Sequence, residues 1–234
     1  MNLTQLETTF NNLLGLSKPP ISVIYADSKP DGVAMFEGSV PSGCTFWKLA
    51  QQGKVIATEA KDHYNCPIGS YTHNVPLPVA REGELMATLE LMSSIGYLKM
   101  EEVPGVFRLD ATPRVIIYSP LREAPAKPGV VIFTGKPASM MLLVEAANRA
   151  GVLSSLPLLA RPTCMALPAA LKNGVVSSGA CVGNRVYNDL SEDEFYAVVP
   201  GDALEKVAAE LSTIVDAGLK LNEYHSIRKQ QLTA

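Results

Sequence analysis

Four cysteines are the residues of this chain best suited to chemistry: Cys44, Cys66, Cys164 and Cys181. No two form a C-x-x-C pair, so a shared site must draw each thiol from a separate segment. Cys44 follows Pro41-Ser42-Gly43, and Cys164 follows Arg161-Pro162-Thr163. Both read as first-turn residues of helices. Unpaired N–H groups and the macrodipole favour an anion there, which predicts lowered thiol pKa values, with Lys48 and Arg161 close by in sequence. Pro67 suits a first helical position, so Cys66 reads as an N-cap. Cys181 lies between Gly179 and Gly183, in a segment that lets backbone or ligand come close. Four thiolates converging on one point suit zinc or an iron–sulfur cluster. The plainer reading is four small buried hydrophobes, the usual state of free cysteines. The Gly- and Pro-marked turns around them favour a site.

His63 precedes Cys66 by three residues and reads either as a metal ligand, as a base for the thiol, or as a loop histidine bonded to backbone. His73 and His225 have no cysteine so near in sequence. Arg185 suits a ligand carboxylate or phosphate, or an ion pair with Asp189 or Glu194. Other chemistries lack their patterns. Gly179 to Gly183 has no Gly-Lys-Ser/Thr ending, so there is no P-loop, and no G-x-G-x-x-G follows a strand. Neither H-E-x-x-H nor G-x-S-x-G occurs.

Thiols from separate segments need a fold that gathers loops. Residues 2–16 read as an amphipathic helix, with Leu3, Leu6, Phe10, Leu13 and Leu14 at helical spacing, stopped by Pro19-Pro20. Strands are expected at 21–25, 33–36, 55–57, 115–118, 130–133, 174–179 and 195–199. Helices are expected at 44–52, 82–100 with a break at Gly96, 138–150, 164–171, and from Asp202 to Gly218. The segment 153–159 reads as an edge strand or a loop, and the polar tail 219–234 as mobile. The stretches 18–24 and 127–132 echo each other. Each is followed by a helix-opening cysteine and a later cysteine close to a glycine, 22 residues on from Cys44 and 17 on from Cys164. Duplication and chance similarity of two strand–helix units both account for this.

The chain has 234 residues, 47% hydrophobic and 18% charged, enough to bury a core without disulfides or metals. Twenty Lys and Arg against 23 Asp and Glu exclude a broadly basic nucleic-acid binder. The first residues lack the basic and apolar regions of a signal peptide, and no apolar run approaches a bilayer span. A cytoplasmic address with reduced thiols is expected.

Several of these segments resemble the DUF169 family, a set of uncharacterised prokaryotic proteins. The resemblance rests on Pro19-Pro20-Ile21-Ser22-Val23, Cys44-Thr45-Phe46-Trp47 and Asp62-His63-Tyr64-Asn65-Cys66-Pro67-Ile68-Gly69. It extends to Cys164 and to Ser178-Gly179-Ala180-Cys181-Val182-Gly183-Asn184-Arg185, and spans about Leu13 to Leu211. It implies cysteines at all four positions and hence one shared site, without a reaction. This chain carries Asn184 where the family pattern often has a small or acidic residue.

The expectation is an α/β or α+β fold with mixed sheets and flanking helices. One domain would span 1–234, with pseudo-duplicated halves at 1–120 and 127–218. Cys44, Cys66, Cys164 and Cys181 are the expected ligands of an iron–sulfur cluster or other thiolate-bound metal serving redox chemistry or cofactor handling. His63, Gly69, Gly183 and Arg185 are the expected ligand-binding residues. A module binding or sensing an anionic small molecule, with the cysteines as lining, is the alternative. A thiol enzyme using Cys44 or Cys66 with His63 is a third. The expected partner is a small molecule or cofactor, with neither nucleic acid nor membrane. Oligomeric state stays open, a homo-oligomer included.

Overall fold

The computed structural model describes residues 2–152, 154–156 and 162–233. The chain opens with α1 (Leu3–Leu14), where the Asn2 side chain accepts a hydrogen bond from Thr4 N at 2.8 Å. Then come β1 (Ile21–Ala26), β2 (Ala34–Met35), α2 (Thr45–Gln51), β3 (Ile56–Thr58), α3 (Pro67–Thr72), α4 (Glu84–Ser94) and β4 (Val115–Pro120). They are followed by β5 (Val130–Gly135), α5 (Pro137–Arg149), β6 (Ser154–Leu156), α6 (Ala166–Asn173), β7 (Val176–Gly179), α7 (Val182–Asn188), β8 (Phe195–Pro200) and α8 (Leu204–Thr233).

The strands form one mixed sheet, flanked by helices as expected, in the order β2-β3-β4-β1-β5-β8-β7-β6. The outer pairs β2–β3 and β6–β7 are parallel, and every other pair is antiparallel. Period-2 alternation along strands covered on both sides explains their unbroken apolar runs. In β5, Val130 and Ile132 face the core under α2 and α6, whereas Val131 and Phe133 face the core under α1, α5 and α8. Fully burying each such side chain contributes about 1.5–3 kcal/mol. No helix among the described residues is long and apolar enough to cross a membrane.

The strand order reads the same from both ends. Each half runs second, third, fourth, first strand toward the centre, where β1 meets β5 with Ile21 opposite Ile132 and Val23 opposite Val130. Helix α2 precedes the third strand of the first half as α6 precedes that of the second. Helices α3 and α7 follow those strands. The first half alone then inserts residues 73–114, which carry α4.

Two expectations need correcting. Gly218 does not end the last helix, and the tail is not an irregular segment: α8 continues to Thr233. A glycine inside a helix costs only about 1 kcal/mol relative to alanine, and Leu219, Lys220 and Leu221 are good helix formers. The missing side chain also admits the neighbouring helix, since a Cβ on Gly218 would lie 3.0 Å from Leu142 Cδ2 of α5. Helix 82–100 is shorter than expected, ending at Ser94, because Gly96 turns the chain at φ +76 and Met100–Gly105 forms a separate 3-10 turn. Of the segment expected as an edge strand or loop, Leu153 and residues 157–159 lie outside the described residues, as does Arg161.

Candidate functional site

The two-fold topology puts the four cysteines in equivalent pairs. Cys44 is the N-cap of α2, and Cys164 lies in the 3-10 turn Thr163–Met165 directly ahead of α6. Cys66 is the N-cap of α3, and Cys181 the N-cap of α7. Pro67 occupies the first turn of α3, and Cys66 Sγ accepts from Gly69 N at 3.3 Å. Ser42 Oγ and Cys44 Sγ are hydrogen-bonded at 3.0 Å. Two glycines hold their turns against these side chains. A Cβ on Gly69 would sit 3.1 Å from Cys66 Sγ, and one on Gly43 would sit 3.0 Å from His63 Nδ1, so a larger residue would displace either side chain.

All four thiols line one cavity of about 750 Å³. Pro41 to Cys44 and Trp47 form one wall, Cys66 to Gly69 a second, and Pro162 to Met165 with Cys181 to Asn184 a third. The inserted segment closes it with Leu85, Leu89, Met92, Leu98, Val103 and Val106. The thiols are unbridged and retain partial solvent access across the cavity.

The lowered thiol pKa values expected from helix starts are not what the structure supports. Burial pushes the Cys44 thiol up to about 12, and charge on Cys66 or Cys181 raises it further, while Ser42 acts in the opposite direction. Cys66 is raised, chiefly by burial, against the backbone N–H donors around it. Cys164 is raised well above the ordinary range by burial and then by Cys66. Partial solvent access at each sulfur does not offset the apolar protein packed around it. Desolvation of a thiolate outweighs the field of one short helix turn. Lys48 gives no help, because it pairs with Asp189 at 2.5 Å. A negative charge on one of these thiols would raise its cysteine neighbours in the cavity, Cys66 and Cys181 acting on Cys44 and Cys66 acting on Cys164. Yet among the described residues no three His, Cys, Asp or Glu side chains are grouped to share one metal ion. A mononuclear zinc site needs sulfur at about 2.3 Å from the ion.

His63 sits behind the cavity wall. It is buried, and its Nε2 pairs with Thr58 Oγ1 at 3.0 Å. Thr58 donates its proton to Ile116 O, so His63 Nε2 carries the hydrogen. Burial, then the neighbouring His73, hold its pKa down to about 3. His63 is thus a neutral packing group stacked on His73 at 5.8 Å and against Phe46 at 5.1 Å. Gly69 and Gly183 line the cavity. Arg185 points elsewhere, donating to the carbonyls of Ser191 and Glu194.

Sequence reading missed three lining residues. His73 Nε2 and Thr163 Oγ1 are buried without a hydrogen-bond partner, and the buried Asn184 amide interacts with the Cys44 thiol and the Tyr196 hydroxyl. His73 Nδ1 donates to Gly69 O at 3.0 Å, which leaves Nε2 as a free acceptor. The helical spacing of Gly69 and His73, four apart, was the available signal for His73. Asn184 is three residues past Cys181 and shares its side of α7. Tyr25 and Tyr118, outside the cavity lining, also carry buried, unpartnered hydroxyls. Burial raises both phenols, and charge on Cys164 adds to each.

Fold and cavity together define a three-layer α/β/α protein built around a thiol-lined pocket. The chain belongs to the DUF169 family, described as uncharacterised ArCR, whose family model matches residues 9–210. No curated protein and no solved structure matches the chain.

Proposed function

We propose that the four thiols hold an iron–sulfur cluster or a comparable thiolate-bound metal cofactor, for redox chemistry or cofactor handling. The observation that carries this reading is the placement of four cysteines at equivalent positions of two half-sheets, all lining one apolar cavity. Cys44, Cys66, Cys164 and Cys181 would be the ligands. Such a group supplies one-electron transfer or a Lewis acid. The chain supplies an apolar shell, the Ser42 hydroxyl beside Cys44 and the Gly69 N–H beside Cys66. Hydrogen bonds to sulfur and limited solvent access tune such centres. Thiols that burial keeps protonated must lose their protons on ligation, so loading should be stronger at higher pH.

Anaerobic reconstitution with iron and sulfide, followed by metal analysis and an absorption spectrum, tests this. A charge-transfer chromophore that each Cys→Ser change weakens is the expected result. A colourless, metal-free protein with four freely titratable thiols would overturn it.

A separate observation favours a second reading, in which the cavity binds a small molecule and the cysteines line it. The volume of about 750 Å³ falls in the range of small-molecule sites, and two residues of its wall, His73 and Thr163, carry a buried polar atom without a partner. Among the described residues the lining contains no Lys or Arg, which favours a neutral ligand over an anionic one.

A further inference from the structure

We infer that the cavity takes a neutral, lipid-like molecule, its hydrocarbon end inserted first among the thiols and its polar head left at the mouth between α4 and α7. This rests on the small-molecule reading and requires no metal. The polar side chains at the thiol end show almost no surface: Ser42, Thr163 and Asn184 are each 1% exposed and His73 3%. Surface there comes from the four half-buried cysteines and from Pro67 and Ile68. Facing them, Leu85, Met92, Leu98, Val103 and Val106 are half-buried as well. Thiols are weak hydrogen-bond partners. A guest that brings a hydroxyl, an amide or a charge to this end therefore gives up its bonds to water without replacement. A hydrocarbon end gives up nothing and gains the burial of its own surface and of the lining.

The mouth carries the apolar character outward. Leu91 of α4 and Val182 of α7 line the cavity and yet are each 61% exposed. Ile95 and Val186, one helical turn further along the chain, are exposed too. Grouped exposed apolar side chains mark contact sites, and these stand on two walls of one opening. Helix α4 is apolar round more than half of its circumference, yet Leu89 is its one buried residue. Such a helix needs cover, and a guest in the cavity supplies it on the inner side. Among the described lining residues the charges are Glu84 and Glu102, and Glu84 is held by Arg81 in two 2.7 Å bonds. The lining thus holds no cation for an anionic head, and its Glu84 already has one.

Fluorescence titration of the full, reduced, metal-free chain with N-phenyl-1-naphthylamine, a neutral probe that brightens in apolar surroundings, tests this. The probe is then displaced with 1-hexanol, 1-octanol, 1-decanol and 1,10-decanediol. Probe binding should be saturable, and alkanol affinity should rise about two- to fourfold per added methylene. Decanediol should bind at least about tenfold more weakly than decanol, because one of its hydroxyls is forced among the thiols. Saturating decanol should slow iodoacetamide alkylation of the four cysteines at least about threefold, since access limits thiol reactions. Leu91→Asp and Val182→Asp, at exposed positions, should each leave the thermal midpoint within about 2 °C and weaken decanol at least about threefold. Equal displacement by decanol and decanediol, with the thiols protected, would overturn the inference and leave a small-molecule pocket in place. Decanol binding without thiol protection, or unchanged in both variants, would overturn it too. Absence of saturable probe binding would overturn the pocket reading as well.

Discussion

Asn188, the last residue of α7, donates from Nδ2 to the carbonyl oxygen of Cys44 at 2.8 Å. The bond ties the start of a first-half helix to a second-half helix, across the rim of the cavity. Lys48 and Asp189 reinforce the same junction from the surface. The relative placement of Cys44 and Cys181 therefore depends on a contact between halves, not on either half alone.

Replacing Asn188 with alanine should lower stability by about 1–2 kcal/mol, the cost of a lost, largely buried hydrogen bond. It should also speed alkylation of Cys44 by iodoacetamide more than alkylation of Cys66, as read by peptide mass spectrometry. Equal acceleration at both thiols would show that the bond does not position Cys44 in particular.

Acid should destabilise the protein early. Burial depresses His63 to about 3, with His73 a further cause, and burial depresses His73 to about 4. Both are neutral in the fold and titrate near 6.5 when unfolded. Their contribution is complete above about pH 6.5 and is lost as pH falls toward the folded values, because the unfolded chain binds more protons. The slope should approach about 2.7 kcal/mol per pH unit between pH 6 and 4, two protons' worth. Urea titrations across that range measure it, and His73→Gln should halve it.

The Cys44 thiol should be sluggish at neutral pH. With its pKa near 12, Cys44 has a thiolate population about 10³-fold below that of an unfolded cysteine. The greater nucleophilicity of a more basic thiolate recovers part of this, leaving a reaction roughly 30-fold slower than in the unfolded chain. The sign of the linkage is opposite to that of the histidines. The raised value stabilises the fold below the unfolded pKa, and the benefit disappears as pH rises through about 9 toward 12. Stopped-flow thiol titration at pH 7.5, native against denatured, checks the rate.

Removing residues 221–234 should leave the thermal midpoint within about 2 °C, since residues 219–232 of α8 are exposed and exposed surface changes stay within about 0.5 kcal/mol. Truncation before Leu204 should instead unfold the chain, because it removes Leu204, Val207 and Leu211, which are buried in the core shared with α1 and α5.

Much of the layered architecture was legible from residue patterns. The runs at Ile21, Val115, Val130 and Phe195 became four adjacent strands at the centre of the sheet, since continuous β-branched stretches need cover on both faces. Pro67 correctly marked Cys66 as an N-cap. The end of α8 was misread, because Gly218 was weighed for its conformational freedom when its role is close approach to Leu142.

The amino-acid sequence by itself determined which segments carry thiols, that Cys44, Cys66 and Cys164 open helices and that Cys181 lies among glycines, because Pro, Gly and Ser next to cysteine act on the local backbone. Tertiary structure alone decided that the four thiols share a cavity, that burial raises the pKa values of Cys44, Cys66 and Cys164, and that His73 lines the space while His63 packs behind it. Those properties depend on long-range pairing of two half-sheets and on the depth of burial it creates. Local spacing cannot encode either, and the unequal cysteine intervals concealed positions that the strand order makes equivalent.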